Sequence, residues 1–387
     1  MACSLGGSLA TSFGRIKKGE CGIGNISRFD TSPFISSIGA ELPPGLDLAK
    51  YGDHKRVDNL AMLAAREAFL NAGLGPASFD SARAAVCFVG SSGEFLEVEE
   101  RVARAMKGDM VLAPKSLHDP ASATALIARE LGLRGSRATV VTACSSGLMA
   151  VGQGVEWIRQ GMADLVVTGG ADLISRMVYS GFHSLKILSK RPCAPFDSGR
   201  EGITLGEGAG VMILEPESHA KRRGANWDIE IAGHGSSCVS THMTTPDVSG
   251  VAWARPMELA LKDAGVAPDE IGYINAHGAA TRLSDIAEAM AIKKVFGKAA
   301  ANIPVSSVKS MIGHCLFAAG SVELVITALA LKEGVLPPTI NLENPDSQCP
   351  LNHIVGAAIE TDIDYALCNS FGFGGSSASV ALGKRGL

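Results

Sequence analysis

The stretch Val140 to Leu148 reads VVTACSSGL, an apolar run that stops at Cys144 among small residues. Val140-Val141-Thr142 reads as a strand and Leu148 to Gln160 as a helix, which puts Cys144 on the turn between them. The first turn of a helix leaves N–H groups unpaired and carries the positive end of the dipole, and both favour a thiolate. Ser145, Ser146 and Gly147 let the backbone pass close to whatever the sulfur attacks. The chemistry on offer is covalent catalysis by a thiol nucleophile. A buried, inert cysteine fits the same residues, because free Cys packs as a small hydrophobe.

His277, in Asn275-Ala276-His277-Gly278-Ala279, and His314, in Gly313-His314-Cys315-Leu316, each stand beside glycine after an apolar strand or turn. Imidazoles so placed can donate hydrogen bonds to an oxyanion or exchange protons near neutral pH. A hydrogen-bonded core histidine is the plainer alternative for either. His54, His118, His183, His219, His234, His242 and His353 lack that placement and are expected to be surface or structural residues. Lys309 lies in a small, apolar segment where an unpaired ammonium would be expensive, so it needs a counter-charge. Glu323 is a plausible partner, as are Asp285 and Glu288, and a purely structural ion pair would look the same in sequence. Phe371-Gly372-Phe373-Gly374-Gly375 offers backbone N–H groups that a substrate oxygen could approach, or it is simply a tight turn.

Amphipathic helical patterns alternate with short apolar strands along the chain, the mark of an α/β layered architecture. Asp58 to Phe69 reads as a helix, and Ala84 to Gly90, Leu165 to Gly170, Val211 to Leu214, Ile229 to Ala232, Ile271 to Asn275 and Tyr365 to Ser370 read as strands. Helices are expected from about Ser284 and over Ala318 to Leu331. The polar, basic segment Ser218 to Asn226 is the best internal boundary, giving halves 1–222 and 223–387.

The 387 residues are enough for one large core or two fused ones. With 46% hydrophobic residues, 45 glycines and 5% aromatics, helices and strands must meet largely through small side chains. A net charge of −4 without a Lys/Arg block argues against a dedicated nucleic-acid binder. No apolar run reaches the length of a membrane span and no signal-peptide layout opens the chain, so a soluble, cytoplasmic protein is expected. Nine scattered cysteines without a C-x-x-C pair make disulfides and a thiolate zinc site unlikely, and no metal is expected.

Five ordered segments resemble the β-ketoacyl-acyl-carrier-protein synthases, the elongating ketosynthases of the thiolase-like superfamily. They are TACSSG at 142–147, PFDSGREGITLGEGAG at 195–210, NAHGAAT at 275–281 with Asp285 and Glu288 beyond it, VKSMIGHCLFAAGSVE at 308–323, and NSFGFGGSSAS at 369–379. The resemblance implies a duplicated five-layer αβαβα fold, two similar halves with mixed sheets, in a homodimer or in a heterodimer with a ketosynthase-like subunit. It implies that Cys144 accepts an acyl chain from the phosphopantetheine of an acyl carrier protein, and that His277 and His314 drive malonyl decarboxylation and hold the enolate oxygen. Lys309 and Glu323 match the family's supporting charges, the N–H groups of Cys144 and Phe373 its oxyanion hole, and Phe373 its gating phenylalanine. No cofactor beyond the carrier's phosphopantetheine is implied.

The sequence departs from that pattern in several places. Where the family has two threonines after the first catalytic His-Gly, this chain has Ala279, Ala280 and Thr281, so one hydroxyl contact to the pantetheine arm is missing. Phe317 replaces a glycine and Ile203 replaces a common phenylalanine, and both are expected to reshape the acyl pocket beside Phe371. The apolar strand that should precede Met1 to Gly6 has no counterpart, which leaves the chain about ten residues short of the pattern. Lys55 and Arg56 are candidates for docking an acidic carrier. Besides condensation, the residues admit an acyltransferase that uses acyl-Cys144 without elongation, or a non-elongating partner subunit.

Overall fold

A computed structural model describes residues 1–75, 77–93, 95–109, 119–239 and 241–386; His118 lies outside the described residues. Two mixed sheets carry the chain. The first contains β1 (Ala2–Cys3), β2 (Ala84–Val89), β3 (Arg137–Val140), β4 (Leu165–Asp172) and β5 (Gly208–Leu214), in the order β3-β2-β4-β5-β1. The second contains β6 (Ile229–Cys238), β7 (Ile271–Asn275), β8 (Pro304–Ser306), β9 (Asn352–His353), β10 (Tyr365–Phe371) and β11 (Ser376–Lys384), in the order β9-β8-β7-β10-β11-β6. Apart from β9 the two orders are the same. In each sheet the strand next to last, β5 or β11, runs antiparallel to both neighbours while the others are parallel. The fold is therefore duplicated, as the resemblance implied.

Helices complete five layers. Helix α1 (Arg56–Asn71) packs on the outer face of the first sheet, and α3 (Val251–Ala264) and α4 (Arg282–Phe296) lie against the second. Helices α2 (Ser146–Arg159) and α5 (Ala319–Glu333) are sandwiched between the sheets. The sequence explains this sorting. Strands β2 (AAVCFV) and β4 are buried along their whole length, as parallel strands covered on both faces must be. Helix α5 is apolar on nearly every side because a sheet faces it above and below. Thr281 caps α4 by accepting from Ser284 N, and Gly334, at φ 67°, ends α5.

Some expected boundaries move. Strand β3 stops at Val140 and α2 begins at Ser146, each two residues earlier than expected, so the turn around Cys144 keeps its length and shifts toward the strand. Strand β6 runs on to Cys238 because it pairs with β11 along its length. At the same place in the first sheet, β1 pairs only Ala2 with Ala209 and Cys3 with Gly208. The Met1 ammonium is buried 2.5 Å from Glu67, and a cavity of about 540 Å³ borders Val211 to Leu214 of β5.

Candidate active site

Cys144 stands on a turn that its neighbours force into shape. Ala143 takes φ 52°, a left-handed conformation that a non-glycine residue adopts at a cost. Ser145 Oγ donates to Thr142 O at 2.8 Å, while Ser146 Oγ accepts from Thr142 N at 2.8 Å and donates to Ala143 O at 2.6 Å. Ser370 Oγ, from β10, donates to Cys144 O at 2.8 Å and ties the turn to the second sheet. The two serines thus hold the turn rather than merely leaving space. Gly147 serves helix packing, since a Cβ there would lie 2.4 Å from Ser321 N on α5. The close approach beside the sulfur belongs to Gly372, where a Cβ would meet Thr142 O at 2.9 Å.

Burial pushes the Cys144 thiol up to about 12, with Lys309 pulling the other way. The helix end favours a thiolate, but burial outweighs it and Cys144 rests as a thiol. Its proton must therefore leave as the sulfur attacks.

Both singled-out histidines join the same cavity as Cys144. His277 follows β7 and His314 follows a short helical turn, and their ring centroids are 5.4 Å apart at 85°. Leu316 N donates to His314 Nδ1 at 3.0 Å, and Lys309 Nζ lies 3.4 Å from His277 Nδ1. With both Nδ1 atoms engaged as acceptors, each neutral ring carries its proton on Nε2. Burial first, and Lys309 second, hold both imidazoles well below their ordinary value of 6.5. The rings therefore stay neutral donors as pH falls through 6.5. A reaction that uses these rings as neutral donors is accordingly expected to keep its rate from pH 8 to pH 6; a decline with an apparent pKa near 6.5 in a stopped assay would mean ordinary, solvated imidazoles.

Lys309 Nζ donates to Glu323 Oε1 at 2.5 Å and to the His277 carbonyl at 2.6 Å, with both charged side chains almost fully buried. Burial pushes the Glu323 carboxyl up to about 7, and Lys309 opposes the shift. Of the three possible counter-charges, Glu323 is thus the one in contact. Asp285 pairs instead with Arg200 at 3.3 Å and accepts from Phe196 N and Ala280 N. Glu288 accepts from His277 N at 2.8 Å and Gly278 N at 2.7 Å, which fixes the backbone of the first histidine. Arg200, also joined to Asp346 at 2.7 Å, escaped the sequence reading because a buried arginine in a polar segment has no pattern of its own.

The cavity around these groups measures about 70 Å³, and its walls include Ile203, Thr281, Phe371 and Phe373. Thr281 lends its hydroxyl to the α4 cap as well as to the wall. Trp253 stacks on Phe371 with centroids 4.3 Å apart, and Phe182 faces Phe373 at 6.1 Å. Residues 241–247 close the mouth, anchored by Gly374 N donating to Met243 O at 2.8 Å. His242, expected to be peripheral, lies in this wall, its Nδ1 accepting from Thr244 N and Thr245 N. Contrary to expectation, Phe317 is not part of the wall; it packs against a core cluster that includes Val89, Ala150 and Val166. Lys55 and Arg56 are half-buried away from the cavity, and Arg56 Nε is enclosed.

Among the described residues no cluster of three or more His, Cys, Asp or Glu could hold a metal, and no helix is long and apolar enough to cross a membrane. The model of the beta-ketoacyl synthase N-terminal domain matches residues 49–220, and that of the C-terminal domain matches residues 229–343. The chain belongs to the β-ketoacyl synthase family. This β-ketoacyl synthase is an enzyme of the acyltransferase class. It is 38% identical over 401 residues to a 3-oxoacyl-[acyl-carrier-protein] synthase 2 of Vibrio cholerae, covering 98% of this chain and 96% of that protein. The enzyme of the same name from Staphylococcus aureus is 35% identical over 396 residues, covering 98% and 95%. Among solved structures, a chain from a type II PKS acyl-carrier protein in complex with its ketosynthase bound to the hexaketide superposes with a TM-score of 0.91 at 31% identity, covering 99% and 96%. The ishigamide ketosynthase/chain length factor gives 0.90 at 33% identity, covering 100% and 97%.

Proposed function

We propose that the protein condenses an acyl group carried on Cys144 with malonyl-acyl-carrier protein, releasing CO₂ and a 3-oxoacyl thioester, in fatty acid or polyketide synthesis. The observation that carries this reading is the pair of neutral imidazoles, each with Nδ1 engaged and an Nε2–H left to donate, in one cavity with the thiol.

The Cys144 sulfur attacks the acyl thioester, the carrier's thiol leaves, and the cysteine proton ends on that leaving group. Malonyl thioester then loses CO₂; the electron pair of the broken C–C bond becomes an enolate, whose negative oxygen receives the Nε2–H groups of His277 and His314. The enolate carbon attacks the acyl-Cys144 carbonyl, and the N–H groups of Cys144 and Phe373 stabilise the tetrahedral oxyanion. Collapse expels the sulfur as a thiolate, which takes up one proton from solvent. Lys309, backed by Glu323, keeps His277 oriented and neutral. These steps use the carrier's phosphopantetheine and no metal or redox group.

Ile203, Phe371 and Thr281 border the substrate path, and Phe373 gates it. Ala279 and Ala280 give the pantetheine arm fewer hydroxyl partners than the family pattern, which leaves Thr281 as its contact. The partners are an acyl carrier protein, docked on a basic face that includes Lys55 and Arg56, and a second subunit, either a copy of this chain or a ketosynthase-like partner. We assign the halves to 1–222 and 223–387 and the location to the cytoplasm.

The test supplies acyl carrier and malonyl carrier together. CO₂ release with a 3-oxoacyl product is expected; acylation of Cys144 without CO₂ would mark an acyltransferase instead, and CO₂ without condensed product would end the elongation reading.

A further inference from the structure

Asp172, the last residue of β4, is fully buried and takes no part in the steps above. A buried carboxylate is costly unless donors surround it. Here three chain segments supply them. Oδ1 accepts from Ser91 Oγ at 2.8 Å, Gly93 N at 2.7 Å and Leu173 N at 2.9 Å. Ser92 Oγ spans both oxygens, at 3.1 Å from Oδ1 and 2.9 Å from Oδ2. Oδ2 also accepts from Phe317 N at 3.2 Å.

That last contact reaches the catalytic turn. Leu316, between His314 and Phe317, has φ 53°, a conformation that leucine avoids without restraint. In that conformation its N–H points back onto His314 Nδ1 at 3.0 Å. The N–H of the next residue, Phe317, is the one Asp172 holds.

We propose that Asp172 is a positioning residue for decarboxylation: by gripping the Phe317 N–H it keeps Leu316 in its left-handed conformation, so that the Leu316 N–H fixes the proton of His314 on Nε2. The inference rests on the reading that His314 Nε2–H serves the enolate oxygen. It explains why a charged residue stands at the buried end of β4, where a serine or asparagine would satisfy fewer of the donors. Asp172 touches no substrate and acts only through the turn.

Asp172→Asn separates the two oxygens. The side-chain oxygen of asparagine goes to the Oδ1 side, where the fixed donors are most numerous, and its NH₂ then confronts Phe317 N–H and breaks that contact. Malonyl decarboxylation is expected to fall roughly 10- to 100-fold, the usual loss when the partner that orients an imidazole is removed, while acylation of Cys144, followed by intact mass, stays within about 3-fold. Ser91→Ala removes a donor from the other oxygen and is expected to leave the ratio of the two rates unchanged. Nitrogen-15 NMR of histidine-labelled protein, with the His314 signal assigned by its loss in His314→Asn, should show the Nε2–H tautomer in the wild type and a mixture in Asp172→Asn.

An unchanged ratio in Asp172→Asn, an equal loss of both half-reactions, or a Ser91→Ala variant with the same skewed ratio would each overturn the proposal. So would an Nδ1–H tautomer in the wild type, a result independent of whether the variant folds. A wild type that acylates Cys144 but releases no CO₂ would defeat the functional reading instead, and the tautomer measurement would still judge Asp172.

Discussion

Cys144→Ala is expected to yield no acyl-enzyme and to lower condensation on the order of 10⁴-fold or more, since the covalent step has no substitute nucleophile. The fold should survive the change. The turn is held by Ser145, Ser146 and Ser370 through backbone atoms of residues 142–144, and alanine keeps all of those contacts. Malonyl decarboxylation should also persist, because both imidazoles and Lys309 are untouched. Intact-mass spectrometry after exposure to acyl carriers, with CO₂ release in parallel, gives the readout. Persistent acylation of the variant would show that the acyl group sits elsewhere, and both enzymatic readings through Cys144 would fall.

Lys309→Met is expected to cost about 3–5 kcal/mol of stability and nearly all condensation. The stability loss follows from stranding Glu323, whose carboxylate is buried and whose Oε2 has no hydrogen-bond partner among the described residues. The loss of activity follows from the freed His277: its carbonyl loses a donor at 2.6 Å, and its Nδ1 loses the ammonium that, in addition to burial, favours the neutral ring and holds its proton on Nε2. Removing the cation lets both histidine pKa values rise from their lowered position, so residual decarboxylation should decline as pH falls, opposite to the flat profile expected of the wild type. The double variant Lys309→Met/Glu323→Leu separates the two roles. Replacing a buried ion pair by apolar residues of similar volume is often neutral or stabilising, so denaturant unfolding should recover while condensation does not. Recovery of condensation in the double variant would reduce the pair to a structural element.

The long, regular elements were legible because their burial is uniform. Strand β7 falls on Ile271 to Asn275 as the apolar run indicates, and β2 announces itself as an unbroken apolar segment because both of its faces are covered. Element ends were less legible. Strand β6 continues six residues past Ala232 through small and polar residues that pairing with β11, not their own propensity, holds extended.

At the site, residue types and motif order alone singled out Cys144, His277, His314, Lys309 and Glu323, and all five come together in the structure. What no sequence pattern carries is the assignment of roles within the surrounding shell. Gly147 could serve the substrate or a helix, and only the packing of α2 on α5 decides for the helix. Asp285 and Glu288 could each have paired with Lys309, and the fold gives one to Arg200 and the other to the His277 backbone. His242 enters the cavity wall from a loop that sequence leaves featureless.

The sequence by itself determined the α/β layering and the identity of the reacting groups, because periodic burial and the choice of thiol, imidazole and ammonium are written residue by residue, while the duplication of the fold was implied only by the family resemblance. Only the tertiary structure decided their protonation and orientation. The thiol held up at about 12, the imidazoles held neutral and the proton on each Nε2 all depend on burial and on neighbours distant in the chain, and electrostatic free energy is set by distance in space, not by separation in sequence.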